Sequence, residues 1–425
     1  MVLDMGMDFL SQVLKEGLRV NYAIPTEGQD SEKVLLNEES QGLGISNLIY
    51  ITLELMRYKY SSDSRLVNLF IIEEPEAHMH LQMQRTLVNF LNSEYAGAEN
   101  AYKVQGVITT HSDEIVRSAN LSDIKVIRPK EPFKNVICDM DIFLDKHQSE
   151  KSFYETFFKI NFSNMIFADK AIIYEGDTER MYIESLIFGK LGEAEKAAYG
   201  FLETLSQKYI TYAQAGGAYA HKYAKLLNEL EINTLILTDI DYSKSCLDKE
   251  EMFEQGTTNA AIQHFCCCEN NQDDEKEICV RDIYKWQASC DKGKRILVRT
   301  QTENDGCART LEEAILYKYI KSKFSTLLVE GEQLDDFSVF TPFSRENWEL
   351  IREISGFTFA LPNRKKKDAK EKETEIGKIQ RCIRDVVKGI SDNKSDFMYS
   401  IIMANTQYSV LPDYIKEGLE WLAKK

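Results

Sequence analysis

Short apolar runs alternate with longer amphipathic stretches along this chain, and that alternation predicts an α/β protein with parallel strands. Residues 66–72 (LVNLFII), 104–109 (VQGVIT), 171–174 (AIIY), 235–237 (LIL) and the ILV of ILVRTQTENDGC have the length and β-branched content of buried strands. Helical spacing follows several of them. After the strand at 171–174, Met181, Ile183, Leu186 and Ile187 are available for one face of a helix. The stretch AQAGGAYAHKYAKLLNELEI predicts a helix opened by Gly216 and Gly217 that returns the chain to the strand at 235–237, a βαβ crossover requiring parallel pairing. Residues 121–168 predict a strand (KVIRP), a polar turn, and a helix whose Phe153, Tyr154, Phe157, Phe158 and Phe162 form an aromatic face for packing between domains. The last hundred residues predict helices, interrupted by the charge-dense run 363–373, a solvated face or a track for a nucleic-acid backbone.

Composition narrows the class. At 425 residues, with 43% hydrophobic and 28% charged content, the chain has room for two or three domains with cores of their own. It has no apolar run of bilayer length and no signal-peptide pattern, which predicts a cytoplasmic protein without membrane contact. Nine cysteines without regular spacing fit a reducing compartment rather than a disulfide framework. His264 with Cys266, Cys267 and Cys268 suggests zinc, but adjacent cysteines converge poorly on a tetrahedral ion and no CxxC pair completes a site. A net charge of −16 argues against a bulk electrostatic grip on nucleic acid, although acids gathered to hold cations inflate that count.

The candidate chemistry lies at the ends of strands. Glu175 and Glu179 follow the strand at 171–174 across a turn at Gly176 and Asp177, where they either hold a cation or cap the next helix. Asp239, Asp241 and Ser243 follow the strand at 235–237, and strand-like alternation places all three on one side. Glu312 and Glu313 open a predicted helix in TLEEAI. Carboxylates brought together repel unless a cation lies between them, so three separated acidic elements point to Mg²⁺ or Mn²⁺. Thr257 or Thr258 is positioned to cap a helix, and His221 reads as a packing residue.

EGDTE followed some sixty residues later by DID resembles a Toprim domain, the fold shared by topoisomerases, bacterial primases and a group of nucleases. The second glutamate, the serine after DxD and the later LEE resemble the overcoming-lysogenization-defect (OLD) family, to which the Gabija defence nuclease belongs. The resemblance implies metal-dependent cleavage of DNA with two ions held by Glu175, Glu179, Asp239, Asp241, Ser243 and Glu312. It favours Glu312 over Glu313. It also matches KSDFMYSII to a lysine-bearing helix start, placing Lys394 at the site to offset developing charge, with Glu175, Asp239 and Asp241 as catalytic acids.

Upstream, Ser40, Gly42 and Gly44 form a small-residue turn before an apolar helix, a plain loop or an anion-facing helix start. Glu73 and Glu74 end the strand LVNLFIIEE, and His111 ends VQGVITTH. In order, these are similar to the signature loop, Walker B acids and switch histidine of ABC-type ATPases. The phosphate-cradling GxxxxGK[ST] is not in the sequence, so ATP use implies a lobe lost by truncation or supplied by a partner chain. A shortened ATPase sheet is expected to leave part of its core uncovered. The expected organisation is thus the C-terminal part of an ABC-type ATPase (1–150), a Toprim nuclease domain (166–320) and a helical extension (321–425). The family implies a homo-oligomer joined through the ATPase part, which regulates cutting, with phage defence as a typical setting. The rivals are a Toprim polymerase or strand-passing enzyme, and a non-catalytic or partner-dependent ATPase remnant.

Overall fold

The computed structural model describes residues 21–24, 34–37, 42–63, 65–95, 104–215, 219–242, 252–270, 278–289, 293–327, 387 and 394–425. Ser40, Ser243, the glycines at 216–217 and the charged run 363–373 lie outside the described residues. The chain divides into two compact units, Met1–Lys125 with Asp139–Ser163, and Val126–Cys138 with Asn164–Lys425.

In the first unit, β1 (Asn21–Ile24) and β2 (Val34–Asn37) pair antiparallel. Helix α1 (Leu43–Ser61) leads to β3 (Asn68–Glu73), α2 (Leu81–Tyr95), β4 (Val104–Thr109) and α3 (Asp113–Ser118). Strands β3 and β4 are parallel, with Asn68 opposite Val104 and Glu73 opposite Thr109. Alternation divides their residues between two faces. Phe70, Ile72 and Ile108 pack against Leu55, Leu87 and Leu91 of α1 and α2. Gly106 makes room for the Phe70 ring, which a Cβ there would strike. On the other face Leu69, Ile71 and Val107 are exposed, so among the described residues nothing covers the apolar side of this sheet. Helices α4 (Met140–Lys146) and α5 (Lys151–Phe157) bury Phe143 and Tyr154, whose rings meet edge to face. The long helix expected over 151–170 is broken: α5 gives way to a π-turn at Phe158–Phe162 and a 3₁₀ segment at Ser163–Phe167.

Strands β5 (Lys125–Glu131) and β6 (Lys134–Asp139) pair with each other; only β5 is evident in the sequence. The main sheet of the second unit comprises β7 (Lys170–Tyr174), β8 (Ile210–Gln214), β9 (Asn233–Leu237) and β10 (Ile296–Arg299), in the order β10-β9-β7-β8. All pairs are parallel, as the crossover reading requires. Every residue of β7 is buried, which explains its unbroken apolar run.

Nine helices accompany this sheet among the described residues: α6 (Asp177–Phe188), α7 (Glu193–Tyr199), α8 (Phe201–Ser206), α9 (Ala220–Glu229), α10 (Ala260–Asn270), α11 (Val280–Ser289), α12 (Leu311–Leu327), α13 (Lys394–Met403) and α14 (Asp413–Lys424). Helix α6 buries Tyr182 rather than Met181 beside Ile183, Leu186 and Ile187. The Tyr182 hydroxyl can enter the core because it donates to the Gln407 carbonyl at 2.8 Å. The C-terminal residues belong to the same core as the sheet: Phe397, Ile401, Tyr414 and Leu419 are buried in one cluster with Ile172, Leu235 and Leu297. Each fully buried leucine there contributes about 2 kcal/mol. Lys170 is also buried and donates to the Leu422 carbonyl at 2.6 Å, tying the start of β7 to the end of α14. None of the described helices is long and apolar enough to cross a membrane.

Candidate metal centre

Parallel neighbours β7 and β9 end at the same edge of the sheet, so the acids following each strand meet there. Carboxylate oxygens of Glu175, Glu179 and Asp239 all lie within 4.8 Å of one another. They form the one such metal-ligand cluster among the described residues. Among the described residues Cys138, Cys266, Cys267, Cys279 and Cys307 form no disulfide and contribute to no cluster of this kind.

Each acid is held in place. The Glu179 Oε2 atom accepts from the Glu175 amide at 2.9 Å and from the Gly176 amide, so this residue both caps α6 and joins the cluster. Glu175 Oε1 accepts from Thr238 Oγ1, from Asn259 Nδ2 at 2.8 Å and from the Asp239 amide at 3.3 Å. Asp239 Oδ1 accepts from Gln301 Nε2 at 2.5 Å. The same Gln301 nitrogen lies 3.3 Å from the Tyr414 hydroxyl, and its Oε1 receives the Ile240 amide at 3.0 Å.

The simple alternation expected to place Asp239 and Asp241 on one side does not hold. Strand β9 ends at Leu237, and Asp241 adopts a left-handed backbone with φ +46°. A non-glycine residue pays roughly 1 kcal/mol or more for that conformation. Asp241 is thus turned by local backbone geometry rather than by strand pleat, and it stands outside the compact triad. Thr258 fixes the bend by donating to the Asp241 carbonyl at 2.7 Å.

Glu312 and Glu313 open α12, and both are buried. Glu312 lies 3.1 Å from Lys394 Nζ and accepts from Thr310 Oγ1 at 2.9 Å. Glu313 instead binds Arg309, with Nη2 at 2.8 Å and Nε at 3.1 Å from Oε1. Lys394, from the distant helix α13, therefore joins the acids by its ion pair with Glu312.

Burial and mutual repulsion raise the acids' pKa values. Glu179 is pushed up to about 8, by burial first and then by Glu175 and Glu312, against the stabilising Gly176 amide. Asp239 is raised well above its ordinary value by burial, Glu179, Glu312 and Glu175. Glu175 is raised by burial, an effect moderated by Thr238 and Asn259. Asp241 is raised by burial, with Arg309 and Lys394 favouring its ionised form. Burial alone would lower Lys394, but Glu312, Asp239 and Glu179 hold it above its ordinary value. A cluster of oxygen donors that cannot all ionise unaided suits a hard divalent cation.

Residues 166–241 match the family model described as overcoming lysogenization defect protein-like, TOPRIM domain. The chain carries an OLD-like TOPRIM domain. Ahead of this TOPRIM domain, residues 7–116 match an AAA ATPase domain model. The chain is 28% identical over 422 residues to endonuclease GajA of Bacillus cereus strain HuB5-5, an alignment covering 91% of this chain and 54% of the relative. Endonuclease GajA of Bacillus cereus strain VD045 is 27% identical over 249 residues, covering 58% of this chain and 36% of that protein. The chain thus spans about half the length, or less, of the curated relatives it matches. Among solved structures, the C-terminal region of the Xanthomonas campestris pv. campestris OLD protein is 16% identical with a TM-score of 0.30, covering 61% of this chain and 95% of that one. A structure from a study of ATP-driven dimerization and DNA-stimulated activation of SMC ATPases is 11% identical with a TM-score of 0.21, covering 31% and 80%.

In the ATPase segment, β3 and β4 end side by side and bring Glu74 and His111 together, with Nε2 and Oε1 3.5 Å apart. Glu73 is exposed at the end of β3, and the His111 amide donates to Glu76 at 2.7 Å. Gly42 precedes α1 without a side-chain cap. Gly44 has a packing reason to be glycine, since a Cβ would strike the His78 carbonyl.

Two supporting residues, Gln301 and Asn259, escaped the sequence reading. Asn259, not Thr257 or Thr258, caps α10: its Oδ1 accepts the Ala261 and Ile262 amides at 3.0 and 3.3 Å. Thr257 Oγ1 is engaged elsewhere, with the Ile240 carbonyl at 2.5 Å and the Asn259 amide at 3.0 Å. Meanwhile Asn259 Nδ2 reaches Glu175 Oε1, Thr238 Oγ1 and the Asp239 carbonyl, each at 2.8 Å. Asn259→Ala is expected to cost roughly 2–3 kcal/mol by losing a cap and a charge-assisted hydrogen bond. Asn259→Asp, which sets another carboxylate against Glu175, should cost more. Urea unfolding of the metal-free chain checks both values and their order.

Proposed function

We propose that this chain is a divalent-metal-dependent endonuclease that hydrolyses DNA phosphodiesters. The observation that carries the reading is the triad of Glu175, Glu179 and Asp239 at the ends of adjacent parallel strands, within a sequence similar to endonuclease GajA. Two Mg²⁺ or Mn²⁺ ions would supply Lewis-acid activation of water and of the departing 3′-oxygen. Glu175, Glu179 and Asp239 are the residues to hold them, with Asp241, Glu312 and Ser243 extending the donor set. Thr238, Asn259 and Gln301 orient the acids before any ligand arrives, a preorganisation that lowers reorganisation cost. Lys394, presented by Glu312, offsets negative charge on the reacting phosphate or returns a proton to the leaving oxygen.

DNA is the partner in this reading. The first unit, whose Gly42, Gly44, Glu73, Glu74 and His111 we read as part of an ATPase half-site, joins copies of the chain and regulates cutting. ATP use would need a phosphate-cradling lobe, from a longer form of the chain or from a partner chain. A cytoplasmic role in defence against phage fits this arrangement. Supercoiled plasmid incubated with the chain and Mn²⁺ or Mg²⁺, without ATP, is expected to become nicked or linear, and EDTA should stop the reaction. Intact plasmid from a folded preparation that binds Mn²⁺ would overturn the proposed activity.

A further inference from the structure

Two cations are held by the first acids of α12, and the chemistry above uses only Lys394. The other, Arg309, precedes α12 and is built into place with care. Its Nη2 and Nε atoms bind Glu313 Oε1 at 2.8 and 3.1 Å, while its own amide donates to Glu313 Oε2 at 2.8 Å. One carboxylate therefore fixes both the backbone and the guanidinium of the same residue. Consecutive helical residues point about 100° apart, so Glu312 and Glu313 anchor separate cations, Lys394 and Arg309.

The pairing leaves donors unused. A guanidinium has five N–H groups, and Glu313 engages only the Nε and Nη2 side. Among the described residues Nη1 has no hydrogen-bond partner, and the side chain is 26% exposed although Glu313 is fully buried. An ion pair serving stability alone has little reason to be buried, because apolar residues of similar volume pack as well or better. A guanidinium half spent on a buried acid and half open beside an acidic centre has a different use. The approaching ligand is a polyanion entering a cluster of carboxylates, and a planar fork suits phosphate oxygens.

We propose that Arg309 is a phosphate-binding residue of this site: Glu313 presents it, and its open Nη1 edge takes a non-bridging oxygen of the DNA backbone at the start of α12. The assignment rests on the nuclease reading and names a substrate contact within it. Glu313 is accordingly a positioning residue, distinct in role from Glu312.

The test uses the full chain carrying Arg309→Met with Glu313→Leu, which removes both charges together and leaves neither buried alone. Binding of a fluorescently labelled short DNA duplex is followed by anisotropy with Ca²⁺ in place of Mn²⁺, and Mn²⁺ binding is followed separately by calorimetry. The expected result is DNA affinity weakened about tenfold and cleavage slowed at least as much, with Mn²⁺ affinity within about twofold of wild type. Arg309→Lys keeps a charge for Glu313 but loses the fork; it should also weaken DNA binding, and it carries the comparison should the double variant misfold. Unchanged DNA affinity and cleavage in the folded variants would overturn the assignment. So would a change in Mn²⁺ affinity alone, which marks Arg309 as a counter-ion for Asp241. A wild-type chain that binds Mn²⁺ but neither binds nor cuts DNA overturns the nuclease reading as well, and is told apart by needing no variant.

Discussion

Asp239→Asn should slow metal-dependent plasmid cleavage by about 10³-fold, a loss of about 4 kcal/mol of transition-state stabilisation. The expectation comes from position. Asp239 is the acid from β9 in the triad, and burial together with Glu179, Glu312 and Glu175 disfavours its ionised form. Asparagine keeps the shape and can still accept from Gln301 Nε2 at the place where Asp239 Oδ1 does, so the fold has little cause to shift. What changes is the charge. The variant should therefore lose Mn²⁺ binding by calorimetry while its metal-free form melts no lower than wild type, and higher at pH 8, because one repulsive charge is gone. Cleavage within a few-fold of wild type would remove Asp239 from the chemistry. Loss of cleavage with unchanged Mn²⁺ binding would instead assign it a role with the substrate.

Gln301 illustrates where sequence reading stops. The strand-turn-helix at 170–188 was legible because an apolar run, a glycine turn and a helical face each leave a periodic trace, and β7 and α6 lie where that trace puts them. The parallel pairing of β7 with β9 followed from the crossover between them. The choice of Glu312 over Glu313 as a site acid rested only on resemblance, for nothing in two adjacent glutamates distinguishes them until the helix turns them apart, one to Lys394 and the other to Arg309. Gln301 had no signal at all, and Asn259 only that of a capping residue beside Thr257 and Thr258, which the reading gave to its neighbours. Each is a single polar residue in an ordinary stretch, and its importance arises from chain segments more than 60 residues away, as Gln301 shows with Asp239 and Asn259 with Glu175. Strand β8 was missed for a related reason: as ITYAQ at the sheet's edge it mixes polar and aromatic residues, and its strand character comes from pairing with β7. The left-handed Asp241 was hidden because a DxD sequence reads as strand alternation until its backbone is seen.

Metal-free protein should lose stability as pH rises from about 5.5 to 8, and Mg²⁺ should restore more of it the higher the pH. The sign follows from the carboxylates. Glu179 titrates near an ordinary 4.5 when unfolded and at about 8 when folded, and Glu175, Asp239 and Asp241 are displaced in the same direction. Between those values the native state holds more protons than the unfolded chain, so the free energy of unfolding falls with increasing pH. The contribution is fully present below the unfolded pKa and is lost as pH passes through the folded one. Carboxylates shifted downward, such as Asp63 and Asp139, act below the ordinary carboxylate range and leave this window alone. A divalent ion binds the ionised acids, so it opposes the loss and its stabilising effect grows with pH. Glu179→Gln separates this account from a general effect of charge. Glutamine Oε1 can still accept the Glu175 and Gly176 amides that Glu179 Oε2 now receives, so the α6 cap survives while the buried charge does not. The variant should be more stable than wild type at pH 8 without metal, by on the order of 1–3 kcal/mol. It should also have a flatter pH dependence and gain little from Mg²⁺. Melting temperatures of both chains across pH 5.5–8.5, with and without Mg²⁺, decide the matter. An equal slope in wild type and variant would place the pH dependence elsewhere in the protein.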